Sequence, residues 1–188
     1  MLISAHADVD PAIAEHADIY MCRLSAGKDS RIYFGNPALL KREYPGDCIY
    51  NAACIGKYII CGRTASKALI EASGLQRVTV KQGYTKCNLL VVDEKHAITE
   101  DEGLFRALSE LSDIECLKIS PRQVKLPGYE HGFIGGCAGR IGDEIVFNGD
   151  LSAHSDCRRI TEFIEDCGLK AVFFRDYPLT DIGSVISE

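Results

Sequence analysis

One pattern constrains this chain more than any other: short apolar runs return in the same order, with the same kinds of breaks between them. Residues 78–99, VTVKQGYTKCNLLVVDEKHAIT, show it most clearly. They read as a strand at 78–80, a bend at 82–85, a strand at 88–92, a polar turn at Asp93-Glu94-Lys95 and a third strand at 97–99. Glycine accepts backbone angles that other residues resist. A bend around Gly83 at the mouth of a buried strand can therefore turn Tyr84, Lys86 and Cys87 toward a shared cavity.

The same order precedes and follows that stretch. Strands are expected at 19–24 and 31–34, joined by a polar loop, and a short helix at 37–44 is stopped by Pro45-Gly46. Strands at 52–55 and 58–61 flank the tight turn Gly56-Lys57, a helix at 65–72 ends at Gly74, and a strand at 76–80 follows. Beyond the opening stretch, residues 99–102 cap a helix with Leu104, Leu108 and Leu111 on one face, and 114–119 form a strand. A hairpin turning at Gly142-Asp143 leads into a helix that lines up Ile160, Phe163 and Ile164. Strands at 169–174 and 182–186 complete the chain. Side by side, these segments give a unit of strand, turn, strand, helix, strand with a period of about 35 to 48 residues. Its first strands begin near Ile19, Ala52, Asn88, Gly135 and Ile182. The fifth unit runs out of chain, and the apolar run at 1–4 is available to close it.

A chain of 188 residues, 46% hydrophobic, can bury one full core, so a single domain over 1–188 is expected. The net charge of −6, with scattered basic residues, argues against a nucleic-acid partner, because phosphate-backbone affinity rests largely on Lys and Arg displacing counterions. No apolar run approaches the roughly 20 residues that cross a bilayer. The opening MLISAHADVD has no basic segment followed by an apolar one, as a secretory signal would. A cytoplasmic protein without membrane contact is the expectation. Nine cysteines without a C-x-x-C pair or zinc-like spacing read as reduced thiols, so neither a metal nor a cofactor is expected.

The segments VKQGYTKC, LPGYEHGFIGGCAG, FNGDLSAH and LTDIGSVIS resemble those of a bacterial family without an established reaction, assigned to the pentein or guanidino-group-modifying-enzyme fold. The similarity spans residues 13–187. It implies an α/β propeller of ββαβ repeats around a pseudo-fivefold axis, with the last repeat incomplete and closed by the N-terminal strand. In such a ring the starts of the first strands face a central channel. The residues so presented are His16 and Asp18, then Asn51, then Tyr84, Lys86 and Cys87, then Gly135 and Gly136, then Asp181 and Ser184. The implied role is binding, and in an enzyme modifying, a small guanidino or amino-acid-like molecule by hydrolase or amidinotransferase chemistry. The alternative is a non-catalytic interaction module, like the ribosome anti-association factors of that fold. Catalytic relatives carry a Cys in the last repeat and a His in the one before, whereas here Ser184 and the glycines Gly135 and Gly136 stand near those places. An incomplete fifth unit leaves an exposed strand edge that a homodimer contact could cover.

Cys87 is then the remaining thiol in a plausible position, with Lys86 to favour thiolate and His16 or His154 as a base. Its alternative is a small apolar core residue, the reading that also fits Cys22, Cys54, Cys61 and Cys116. Asp150 and His154, four apart where a strand hands over to a helix, form either a helix cap or a ligand-binding pair. Lys81 and Arg140 are candidates for holding a substrate carboxylate, while His6, His96 and His131 read as unremarkable. The run Phe133 to Gly139 flows into a strand, not a helix N-terminus, which excludes a dinucleotide loop and leaves close backbone approach as its role.

Overall fold

The computed structural model describes residues 9–27 and 30–187. A single helical turn, α1 (Ala17–Tyr20), runs into the strands β1 (Met21–Arg23) and β2 (Ile32–Phe34). There follow β3 (Ala52–Ile55), β4 (Tyr58–Gly62), α2 (Lys67–Ser73) and β5 (Gln76–Val80). Another turn of helix, α3 (Thr85–Asn88), leads to β6 (Leu89–Val91), β7 (His96–Thr99), α4 (Glu102–Ser109) and β8 (Glu115–Lys118). The last group is β9 (Ala138–Ile141), β10 (Glu144–Phe147), α5 (Cys157–Asp166) and β11 (Lys170–Phe173).

From β3 onward the ββαβ order occurs three times. In each unit the first two strands pair antiparallel, and the helix carries the chain across to a third strand parallel to the second. Local chemistry explains where the helices begin and end. Ser66 accepts a hydrogen bond from Leu69 N at the start of α2, and Gly74, at φ 65°, ends it in the left-handed conformation that glycine adopts without a Cβ penalty. Asp101 Oδ1 accepts from Leu104 N, 2.7 Å away, at the start of α4.

Alternation along the strands divides the core into three. Ala52, Cys54, Ile59 and Cys61 pack with Val9, Ile13, Ile19 and Tyr50 on one side of their sheet. Ala53, Ile55, Tyr58 and Ile60 pack on the other side with Leu89, Ala97, Leu104 and Leu108 of the next unit. Leu90 and Ile98 turn to a third cluster, with Ile134, Ile145, Phe147, Ile160 and Ile164. Successive side chains of a strand point to opposite faces, so strands covered on both sides become continuous apolar runs, as in AACI and YIICG.

The pentein-type propeller expected from the resemblance is not what the chain builds. Its strands form four separate small sheets, one of two strands and three of three, and none is closed or curled into a propeller. Pairing inside a unit is a local property, whereas closing a ring demands a further set of strands. Residues 182–186 do not supply it: Gly183 and Ser184 both sit at φ 73°, outside the range a strand uses. That segment instead lies along residues 136–138, with Ser184 N donating to Gly136 O and Val185 N to Ala138 O. The first unit ends after two strands, and the helix expected at 37–44 shortens to a 3-10 turn, Pro37–Leu39. The apolar run 1–4 and His6 lie outside the described residues. Among the described residues, no helix is long and apolar enough to cross a membrane.

Phe147 is fully buried where the last two units meet. Phe147→Ala should lower the unfolding free energy by about 3–5 kcal/mol in equilibrium urea titrations. A loss under about 1 kcal/mol would mean that this cluster does not join the units.

Candidate functional site

Four segments distant in sequence meet at Asp18, which is completely buried. Its Oδ2 lies 2.6 Å from Ser184 Oγ and accepts a hydrogen bond from the Cys87 thiol at 3.0 Å. Its backbone N donates to Gly183 O, and its backbone O accepts from Asn51 Nδ2. Asn51 also donates to Cys87 Sγ at 3.2 Å, while its Oδ1 receives the backbone N–H groups of Lys86 and Cys87 at 2.7 and 3.3 Å. The first amides of a helix have no partner within it, and Asn51 thus supplies the missing acceptor for α3. The Lys86 ammonium turns away from the thiol, to Gly135 O at 3.0 Å and Ser184 Oγ at 3.1 Å.

Close approach makes this junction possible. A Cβ on Gly136 would run into the Asp181 carboxylate, and one on Gly183 into His16. Ser184 occupies the left-handed region without being glycine, a conformation that persists where hydrogen bonds hold it. Both its N–H and its hydroxyl are engaged.

Beside the network opens a cavity of about 200 Å³. Ile13, Ile19 and Leu126 give it an apolar wall, Tyr84, Tyr129, His131 and Phe133 line it with rings, and Cys87, His16 and Asp181 contribute its buried polar lining. Asp181 is held by the backbone N–H groups of Phe133 and Gly183, and its Oδ1 lies 3.8 Å from His16 Nδ1. Neither Lys nor Arg is among the described residues lining the cavity. One oxygen of Asp18, Oδ1, is buried without a hydrogen-bond partner among the described residues.

Burial, reinforced by the Asp18 charge, pushes the Asp181 carboxyl up to about 6, although the Gly183 amide and His16 pull the other way. Burial, then Asp18 and Asp181, drives the Cys87 thiol well above its ordinary range, with Asn51 opposing. Burial also lowers the Lys86 ammonium, against the pull of Asp18. The resting site therefore holds a protonated thiol donating to a carboxylate, and the thiolate expected from the neighbouring Lys86 is not what this environment favours.

The structure brings His16, Asp18, Asn51, Tyr84, Lys86, Cys87, Gly135, Gly136, Asp181 and Ser184 to the network or its cavity. His154 and Asp150 are elsewhere. Asp150 caps a 3-10 turn, Leu151–Ala153, by accepting from Ser152 N, and His154 Nδ1 accepts from Asp156 N. Burial lowers the His154 pKa. Arg140 lines a smaller cavity of about 40 Å³ with Lys86 and Arg23, and Lys81 lines an open surface groove beside α4. Two features went unread in the sequence. His131 and Phe133 form part of the cavity wall, and Glu100, inside a run read as a helix cap, is buried. Burial raises Glu100 to about 7.

Fold and site together describe a mixed α/β protein with a buried carboxylate–thiol–hydroxyl network beside a ring-lined cavity. Residues 26–186 match DUF6873, a family of unknown function, and the chain belongs to that family. Searches of curated proteins and of solved structures found no match.

Asp181 and Glu100 keep their protons in the folded chain to about pH 6 and 7, against ordinary values of 3.8 and 4.5. Both are raised, so from about pH 4 to 7 the folded state holds protons that the unfolded chain has released, and stability from these groups rises as pH falls through that window. Combining Asp181→Asn with Glu100→Gln should flatten this part of the pH dependence, read from urea midpoints across the window. A slope unchanged from that of the parent protein would refute the assignment.

Proposed function

We propose that the cavity binds a small organic cation carrying a guanidinium or ammonium group, as a non-covalent site. The observation that carries this reading is charge: among the described residues, Asp181 lines a cavity without Lys or Arg, and behind the Cys87 thiol Asp18 keeps a buried oxygen unpartnered. Two buried acidic groups face one buried ammonium, Lys86, which is turned toward Gly135 O and Ser184 Oγ, and an incoming cation would offset the remaining cost of burying them. Tyr84, Tyr129 and Phe133 add ring faces suited to a cation with an aliphatic or planar body. Because neither Lys nor Arg is among the described residues that line the cavity, the carboxylate of an amino acid would find no permanently charged partner among them, which favours an amine or guanidine over an amino acid. The protonated Cys87 serves as a hydrogen-bond donor to Asp18, a role that needs no thiolate.

Calorimetric titration with n-butylguanidine, its neutral isostere n-butylurea, and arginine tests the proposal. Butylguanidine should bind at least about tenfold more tightly than either of the others, a difference of about 1.4 kcal/mol. Its affinity should rise between about pH 5 and 7 as Asp181 ionises, and Asp181→Asn should abolish that dependence. Equal affinity for butylurea, or no heat from butylguanidine, would sink the reading.

A further inference from the structure

A second group of donors lies where the turn between β6 and β7 meets the C-terminal end of α5, and none of its members lines the cavity. Asp93, His96 and Cys167 each place one donor atom within 4.8 Å of the others. Two of the three are held in advance. Asp93 Oδ1 accepts the backbone N–H groups of Lys95 and His96 at 2.7 and 2.9 Å, which fixes the carboxylate over the turn. The His96 ring stands edge-on against Phe163, with 5.8 Å between centroids, and its Nδ1 lies 2.8 and 2.9 Å from the two Asp93 oxygens. Cys167, half-buried just past α5, donates its thiol proton to Phe163 O at 3.1 Å.

The opposite ring nitrogen has its own partner. His96 pairs with Glu115 across the parallel β7–β8 ladder, and Nε2 lies 3.9 Å from Glu115 Oε2. A histidine that ligates a metal through one nitrogen commonly turns the other toward a carboxylate, which sets its tautomer and orientation.

We propose that Asp93, His96 and Cys167 form a zinc site, with the carboxylate, the His96 Nδ1 and the Cys167 thiolate as ligands and water in the fourth position. An oxygen, a nitrogen and a sulfur donor suit a borderline-soft ion such as Zn²⁺. Two anionic ligands and one neutral imidazole balance its double charge. Tetrahedral zinc requires donors roughly 3.3–3.6 Å apart, so about 1 Å of side-chain adjustment closes the present arrangement. Binding releases the Cys167 proton to solvent, and the imidazole binds neutral with its remaining proton on Nε2, facing Glu115. The ion would clip the β6–β7 turn to the end of α5, joining two units that share no sheet.

Cobalt and zinc added to the purified metal-free chain provide the test. Co²⁺ should produce a thiolate-to-metal charge-transfer band in the near ultraviolet that disappears in both Cys167→Ser and His96→Gln. Glu115→Gln should weaken cobalt affinity about tenfold. Zinc should raise the melting temperature of the parent protein and leave that of Cys167→Ser unmoved. Absence of the band in the parent protein, or its survival in either of those two variants, would overturn the proposal, because other cysteines would then be the ligands or no metal would bind.

Discussion

A carboxylate with no access to solvent has to find its stabilisation inside the protein, and Asp18 finds it by drawing in groups from most of the chain. Ser184 and Cys87 approach one of its oxygens, and Asn51 and Gly183 engage its backbone. Removing one partner from such an arrangement leaves a buried polar group unpaired, typically costing more than the net worth of the bond itself. The positions of α3, of the segment at 182–185 and of the loop around Gly135 and Gly136 are thus coupled through one network, in which Asp18 holds Cys87 and Ser184, and Ser184 and Lys86 reach the glycine loop. The cavity wall inherits that coupling, because Cys87 and Asp181 belong to the same pieces of backbone.

The units around this junction are held differently. Their sheets are small, and β3, β4, β6 and β7 share their side chains between two apolar clusters, so neighbouring units adhere through packing and not through shared ladders. Apolar contact is non-directional, whereas the hydrogen bonds about Asp18 specify geometry. The division of labour is plain in Leu89 and Leu90: adjacent residues, both fully buried, belong to different clusters immediately after a helix whose Cys87 points to the polar junction.

How much of this was legible depended on range. Gly74 as the end of α2, Asp101 before α4, and the turn at Gly142 are local chemistry and could be read directly from neighbouring residues. Asp18, Asn51, Cys87 and Ser184 do meet, but the expectation that they would rests on the resemblance to a closed propeller, which does not form. What failed was inference about strand closure: two consecutive positive-φ residues at 183 and 184 override the β-propensity of Ile182, Val185 and Ile186. Asp150 looked the same as a cap or as a ligand, and only the bond from Ser152 N decides between them. Glu100 sat in a cap-like run, yet faces inward, because the neighbouring Asp101 does the capping. Asp93 and Cys167 lie far apart along the chain, so no spacing rule could have paired them.

The bond between Asp18 and Ser184 joins positions 166 residues apart. Bringing such remote points together costs loop-closure entropy, and local pairing can be largely complete before it is met. During synthesis the three ββαβ units can therefore order one after another as they leave the ribosome, while Asp18 waits for a partner 166 residues further on. A chain stalled before residue 184 would carry all four sheets and an unfinished polar junction, so the Asp18 network is completed abruptly, when Ser184 emerges.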